Sequence, residues 1–276
     1  MRNKLKLEAI DFFCGAGGVT CGFKQAGIDV LGGIDIDKTC RETYEKNNGS
    51  KFLCVDISKF NVKILSKYFN IKIQQDNLIF VGCSPCQYFS NIKTDKQKAS
   101  KGRLLLADFQ KFIEYYRPGY VFIENVPGFE KKKGSPLGKF KTFLLKRGYR
   151  CDDASLNAKH FGVPQNRRRY ILLASRIKTG DFSLPDPDKK YIRTVRDAIG
   201  DYSVFNPLKA GESDKTDFIH SAACLSALNI TRIRHTPKDG GDRRSWRDNN
   251  KLQLKSHRLV NNLVIELIVL HEKTTP

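Results

Sequence analysis

The feature that most constrains this chain is an alternation of two periods. From residue 7 to about residue 180, short apolar runs alternate with stretches whose apolar residues recur at helical spacing. The runs Leu7–Phe13, Val30–Ile36, Phe52–Ile57, Leu78–Cys83, Tyr120–Glu124, Tyr149–Leu156 and Tyr170–Ser175 have the length and the branched or aromatic content of strands. Helical stretches such as Lys38–Asn47, Leu104–Tyr116 and Leu137–Arg147 lie between most of them. Strands that are apolar on both faces need cover on both faces, and the intervening helices supply it. We therefore expect an α/β fold, a doubly wound and mostly parallel sheet of the Rossmann-like type. The last two strands are close enough in sequence to run antiparallel.

Two segments depart from this rhythm. Ser84–Gly102 is polar and Lys-rich and directly follows a strand. A loop of that length inside a compact domain is usually functional or disordered. After Ser183, Pro185 and Pro187 break the pattern, and Asp239–Asn250 is dense in charge, Gly and Asn. The expected division is a catalytic domain over 1–180 and a partial small domain over 181–276 that ends in a helical tail. The apolar face of that tail is Leu259, Leu263, Ile265, Leu267 and Leu270.

Charge points to the partner. Lys and Arg number 49 against 29 Asp and Glu, a net charge of +20. Each phosphate contact needs a cation, so a polyanion such as nucleic acid is the natural partner. A Lys-rich composition with solvated basic faces is the plainer explanation. The eight cysteines do not form the spaced pairs of a small secreted domain, which implies reduced thiols and a cytoplasmic protein. Neither a signal peptide nor a membrane span is expected, because Leu259–Leu270 is too short and is interrupted by Asn261, Asn262 and Glu266.

The strand ends carry the chemistry. The first strand runs into Asp11-Phe12-Phe13-Cys14-Gly15-Ala16-Gly17-Gly18. Glycines at a strand-to-helix turn let the backbone approach a ligand. Thr20 stands where the dinucleotide fingerprint needs its third glycine, and a plain structural turn explains Gly15, Gly17 and Gly18 about equally well. The second strand ends Gly33-Ile34-Asp35-Ile36-Asp37, and an acid there can accept both ribose hydroxyls. The third ends at Asp56-Ile57, a carboxylate and an apolar side chain suited to an adenine edge. Helix N-caps account for Asp37 and Asp56 without excluding this. With no phosphate-grasping Lys after the glycines, the ligand expected is a nucleoside cofactor.

The fourth strand leads into Gly82-Cys83-Ser84-Pro85-Cys86-Gln87. A Cys83/Cys86 redox pair or half a metal site is one reading; a nucleophilic thiol is the other. No second Cys pair or Cys/His cluster lies nearby in sequence, so no metal is expected. The fifth strand ends Glu124-Asn125-Val126, which brings a carboxylate to the same sheet edge. A thiolate that adds to C6 of a cytosine makes C5 an enamine carbon able to take a methyl group. An acid at N3 and the exocyclic amine helps that addition.

Together, Asp11–Gly18, Pro85-Cys86-Gln87, Glu124-Asn125-Val126 and Gln165-Asn166-Arg167-Arg168-Arg169 resemble, in order, the main signature motifs of the DNA cytosine-C5 methyltransferases. Thr194–Asp197 resembles the weaker motif that follows, so the likeness covers roughly residues 7 to 200. The resemblance implies S-adenosyl-L-methionine as methyl donor and double-stranded DNA as substrate, with the target base flipped out of its stack. It places Phe13, Gly15, Gly17, Gly18, Asp35, Ile36, Asp56, Ile57, Pro85 and Leu104 around the cofactor. Asp35 would take the ribose and Asp56 the adenine amine. Cys86 becomes the nucleophile and Glu124 the group at the cytosine N3 edge. Arg167 and Arg169 would brace the flipped nucleotide, and Gln87, Ser90, Asn125 and Gln165 would meet DNA. Ser84–Gly102 would be the loop that closes over DNA. From the residues alone, Gln165, Arg167 and Arg169 share one face of an extended segment, and their guanidinium forks suit phosphate or carbonyl oxygens.

One family element has no counterpart here: the final Asn-rich helix that closes the cofactor pocket. Two explanations follow. Either a second chain supplies the closing helix, or the gene is truncated or frame-shifted. Both imply weak or no methyl transfer by this chain alone. The rival functions are a partner-dependent or inactive DNA-binding subunit and an RNA cytosine methyltransferase, whose Cys-Phe-Thr signature is absent.

Overall fold

The computed structural model describes residues 6–84, 96–128, 135–180, 182–190, 192–214, 220–238, 241–246 and 252. The chain divides into two compact units, one of Met1–Gly162 with Asn166–Tyr191 and one of Val163–Gln165 with Ile192–Pro276.

The first unit is built on β1 (Glu8–Phe12), β2 (Asp29–Asp35), β3 (Lys51–Cys54), β4 (Leu78–Gly82), β5 (Tyr120–Asn125), β6 (Arg150–Asn157) and β7 (Arg168–Ser175). They form one sheet in the order β3-β2-β1-β4-β5-β7-β6. The first five are mutually parallel, and β7 runs antiparallel between β5 and β6. Helices α1 (Gly18–Gln25), α2 (Arg41–Asn48), α3 (Leu65–Phe69), α4 (Lys96–Tyr116) and α5 (Leu137–Lys146) connect them.

Strand alternation sorts the side chains into layers. Ile10, Phe12, Phe80, Val121 and Ile123 meet Leu106, Phe109 and Phe112 of α4 and Phe140 of α5 in the main core. Phe12 lies at its centre, edge-on to Phe80, Phe109 and Phe112 at ring separations of 4.9 to 5.1 Å. The alternate residues Ala9, Val30, Ile79 and Val81 pack a second cluster with Val19 and Phe23 of α1.

Strand order reverses between β1 and β4. The chain winds outward from β1 to β3, then returns to β4 on the other side of β1. The carboxyl ends of β1 and β4 therefore diverge into a crevice, the place where open α/β sheets bind ligands.

Two differences from expectation have local causes. Residues 96–102 were expected to be loop, yet α4 begins at Lys96. Lys, Gln and Ala in 96–101 are good helix formers, so polar residues there serve a helix as readily as a loop. The first unit also runs past residue 180, to Tyr191. Its prolines end the sheet without releasing the chain: Leu184 N–H donates to the Asp152 carboxylate at 2.6 Å, and Asp188 N–H to the His160 carbonyl at 3.1 Å.

The second unit has few regular elements. Its α6 (Val195–Ile199) begins with a reciprocal capping box between Thr194 and Asp197. A pair of two-residue strands, β8 (Ser213–Asp214) and β9 (His220–Ser221), precedes α7 (Ala227–Arg234). Ile233, Trp246 and Leu252 are buried there, with Trp246 Nε1–H donating to Thr236 Oγ1 at 2.9 Å. The tail 259–270 lies outside the described residues.

Candidate active site

The end of β1 is held in a costly conformation. Phe13 has φ 62°, a left-handed value for a bulky residue, and Gly15 and Gly17 follow at φ 50° and 90°. Such strain costs on the order of 1–3 kcal/mol per non-glycine residue and persists only where the surroundings enforce it. They do so here through backbone bonds. Phe13 and Cys14 N–H both donate to the Ile34 carbonyl, at 2.7 and 3.2 Å, and Gly17 N–H donates to Cys14 O at 2.9 Å. Gly17 also packs tightly: a Cβ there would lie 2.3 Å from Asn48 Nδ2 and 2.8 Å from the Tyr44 ring.

Asp35 ties this turn to β2. Its Oδ2 accepts from Gly15 N–H and its Oδ1 from Asp37 N–H, both at 2.9 Å. Each oxygen retains acceptor capacity for a ligand hydroxyl, since a carboxylate has about four lone-pair sites. The next residue, Ile36, is 68 % exposed, an apolar side chain presented to solvent at the strand's carboxyl end. Asp37 caps the following turn, accepting from Thr39 N–H at 2.9 Å and Thr39 Oγ1–H at 2.7 Å, which holds its carboxyl below the usual range. Asp56 Oδ1 accepts from Ser58 N–H at 3.0 Å and from Ser58 Oγ–H at 2.7 Å. Ile57 is 5 % exposed and belongs to the main core, so it presents an edge at most. Gly18 opens α1. Leu104 lies on α4.

Farther along the edge, Cys83 leaves β4 and packs against the second apolar cluster, as a core thiol does. Pro85, Cys86, Gln87 and Ser90 lie outside the described residues. On β5, Glu124 shares a face with Phe122 and stands opposite Ile171 of β7. Arg169 is two residues before Ile171, hence on that face and diagonal to Glu124, within reach of a long side chain. Its Nε lies 2.6 Å from Glu124 Oε1, with about a quarter of each side chain exposed. Burial and the like charge of Arg169 draw the Arg167 guanidinium down, and Glu124 offsets part of this. Asn125 is 2 % exposed; its Oδ1 accepts from Val126 N–H at 2.8 Å, while its buried Nδ2 has no partner among the described residues. Gln165 is exposed and falls in the second unit.

A buried set of polar groups behind the turn was not anticipated from sequence. Asp11 is 1 % exposed; its Oδ2 accepts from Thr20 Oγ1–H at 2.8 Å, and Thr20 Oγ1 is 3.0 Å from the Tyr44 hydroxyl. An acid inside an otherwise apolar strand was the available signal. Its partners lie 9 and 33 positions away and emerge only when the helices pack. Among the described residues, no cluster of His, Cys, Asp or Glu could hold a metal ion, and no helix is long and apolar enough to cross a membrane.

Comparison with known proteins identifies the family. A family model described as C-5 cytosine-specific DNA methylase matches residues 7–266. The type II methylase M.HgiDII of Herpetosiphon aurantiacus is 32 % identical over 87 % of this chain and 65 % of its own. The type II methyltransferase M.XorII of Xanthomonas oryzae pv. oryzae is 34 % identical over 70 % of this chain and 45 % of its own. Among solved structures, the S. pombe Dnmt2 methyltransferase superposes with TM-score 0.51 at 25 % identity, over 65 % of this chain and 52 % of its own. An E. coli prophage-encoded putative DNA modification methyltransferase shares the fold at TM-score 0.59 and 24 % identity, over 84 % and 66 % of the two chains. The chain thus spans less than two thirds of the length of M.HgiDII, M.NlaX and M1.HphI. With the family model matching nearly its whole length, the chain belongs to the C-5 cytosine-specific DNA methylase family.

Proposed function

We propose that this chain carries the catalytic half of a DNA (cytosine-5-)-methyltransferase that transfers a methyl group from S-adenosyl-L-methionine to C5 of a flipped cytosine in duplex DNA. The observation that carries the reading is the sheet edge. The Gly15–Asp35 turn at β1 and β2, whose chemistry suits an adenosine, and the Glu124–Arg169 pair at β5 and β7 flank the strand that leads to Cys86. Type II relatives point to a restriction-modification setting and a cytoplasmic enzyme.

The residues of the pocket fit the cofactor. Asp35 would accept the ribose hydroxyls, Ile36 would cover the adenine, and the left-handed turn lets the backbone approach the methionyl part. The bound cofactor supplies an electrophilic methyl group. The chain's own groups prepare the base. The Cys86 thiolate forms a bond to C6, which moves electron density to C5. Glu124 hydrogen-bonds N3 and the exocyclic amine, stabilising the charge that develops there. Arg169 holds Glu124 in place until the base enters, and Arg167 meets its phosphate. After C5 takes the methyl group, loss of the C5 proton re-forms the double bond and expels the Cys86 sulfur from C6.

The test is a covalent trap. Duplex DNA carrying 5-fluorocytosine cannot lose a C5 proton, so with adenosylmethionine it should stay bonded to the protein through Cys86. Cys86→Ser should abolish the adduct and Cys83→Ser should preserve it. The opposite pattern would identify the wrong thiol.

A further inference from the structure

Two carboxylates lie behind the glycine turn, and they are treated differently. Asp35 is bonded to backbone N–H groups on both oxygens. Asp11 is almost wholly buried and, among the described residues, bonded on one side only: Thr20 donates to Oδ2, while the buried Oδ1 has no partner among them. Among the described residues no lysine or arginine forms an ion pair with Asp11. Lys24, on the same helix as Thr20, instead donates to the Asn48 carbonyl and, at 3.2 Å, to Ser50 Oγ.

The hydrogen-bond chain has a direction. With Asp11 ionised, Thr20 gives its one proton to Asp11 Oδ2, and the 3.0 Å contact is then donated by Tyr44. Both hydroxyl protons then point toward Asp11, an arrangement suited to the ionised form. A proton on Oδ2 would reverse the chain. The Tyr44 ring is held in place by packing, since Cβ atoms at Gly17 and Gly33 would lie 2.8 and 2.5 Å from it.

We propose that Asp11 is a buried counter-charge for a cationic group of the adenosyl ligand, with Thr20 and Tyr44 as positioning residues, so that ligand binding releases a proton from the protein. This rests on the cofactor reading above. An unpaired buried carboxylate is costly, and a cation brought near it relieves that cost. Burial pushes the Asp11 carboxyl up to about 7, helped by the nearby Asp35 and opposed by Thr20. The other titratable groups facing it are Cys14 from the turn and Tyr44 from α2, both raised by burial well above neutral pH. Asp11 is then largely protonated in the free protein at pH 6. A cation favours its ionised form, and the displaced proton leaves to solvent.

The experiment is titration calorimetry of the full chain in buffers of different ionisation enthalpy between pH 5.5 and 7, with three ligands. Adenosylmethionine carries a sulfonium and an ammonium, adenosylhomocysteine only the ammonium, and adenosine neither. We expect nearly one proton released with adenosylmethionine at pH 6, and affinity rising about tenfold per pH unit below pH 7. Equal release with adenosylhomocysteine assigns the ammonium as the partner; release with adenosylmethionine alone assigns the sulfonium. Asp11→Asn should abolish the release and weaken adenosylmethionine binding at pH 7.5 by at least about tenfold. Thr20→Val should give a smaller loss that Thr20→Ser restores. Binding of adenosylmethionine without proton uptake or release in the unaltered chain, or equal release with adenosine, overturns the proposal while leaving the cofactor reading intact. Failure of the unaltered chain to bind any of the three ligands sinks both.

Discussion

The two halves of the sheet's carboxyl edge handle their acids in opposite ways. On the β1–β2 side, Asp11 and Asp35 have no basic side chain paired with them among the described residues and are held by backbone N–H groups and a threonine hydroxyl. On the β5–β7 side, Glu124 already has its counter-ion, Arg169, at 2.6 Å. An acid left without a cation is prepared to receive one. An acid with its cation in place is held in one orientation. The first arrangement suits a positively charged cofactor and the second suits a group that must engage a neutral base.

The comparison predicts that substitutions on the two sides alter different constants. The largest effect belongs to Glu124→Gln, which should slow single-turnover methyl transfer by about 10²–10⁴-fold, the usual range for general acid–base help, with cofactor affinity nearly unchanged. A matching loss of cofactor affinity would erase the distinction between the halves.

Asp11→Asn should act through stability as well as binding. A folded-state pKa near 7 means that between about pH 4 and 7 the folded chain holds a proton that the unfolded chain has released. The stability of the unaltered protein must therefore fall as pH rises through that window, by at most about 1.4 kcal/mol per pH unit. Asparagine carries no such penalty. In urea titrations the variant should be the more stable by up to about 4 kcal/mol at pH 8, with the advantage gone near pH 4. A constant difference across that range would mean that Asp11 does not titrate as its burial implies.

Gly17→Ala probes the turn on which the first half depends. It adds a Cβ 2.3 Å from Asn48 Nδ2 at a backbone φ of 90°. Roughly 2–3 kcal/mol of destabilisation is expected in the same assay, with weakened adenosine binding. The smallest effect should come from Arg169→Lys, which keeps the charge but not the planar fork. About a tenfold loss in transfer rate is expected, read in single-turnover assays with saturating cofactor.

Much of this site was legible from local chemistry. Glu124 and Asp35 stand at strand ends, and a sheet of alternating period delivers strand ends to one edge. Residues 96–102 were less legible, because the same polar residues serve a loop or a helix. The Arg169–Glu124 contact needed the register of β5 on β7, which no short-range pattern contains. The Asp11–Thr20–Tyr44 set needed more still, namely the packing of α1 and α2 over β1.

Sequence alone determined the doubly wound sheet, the order of its motifs and the candidate residues, since these depend on period, turn chemistry and residue type, all local properties. Tertiary structure alone decided which charges are paired. Pairing depends on distances between elements far apart in the chain and on how much water their packing excludes. For that reason Glu124 emerged with a partner and Asp11 with an unsatisfied oxygen, although in the sequence both are simply acids in apolar strands.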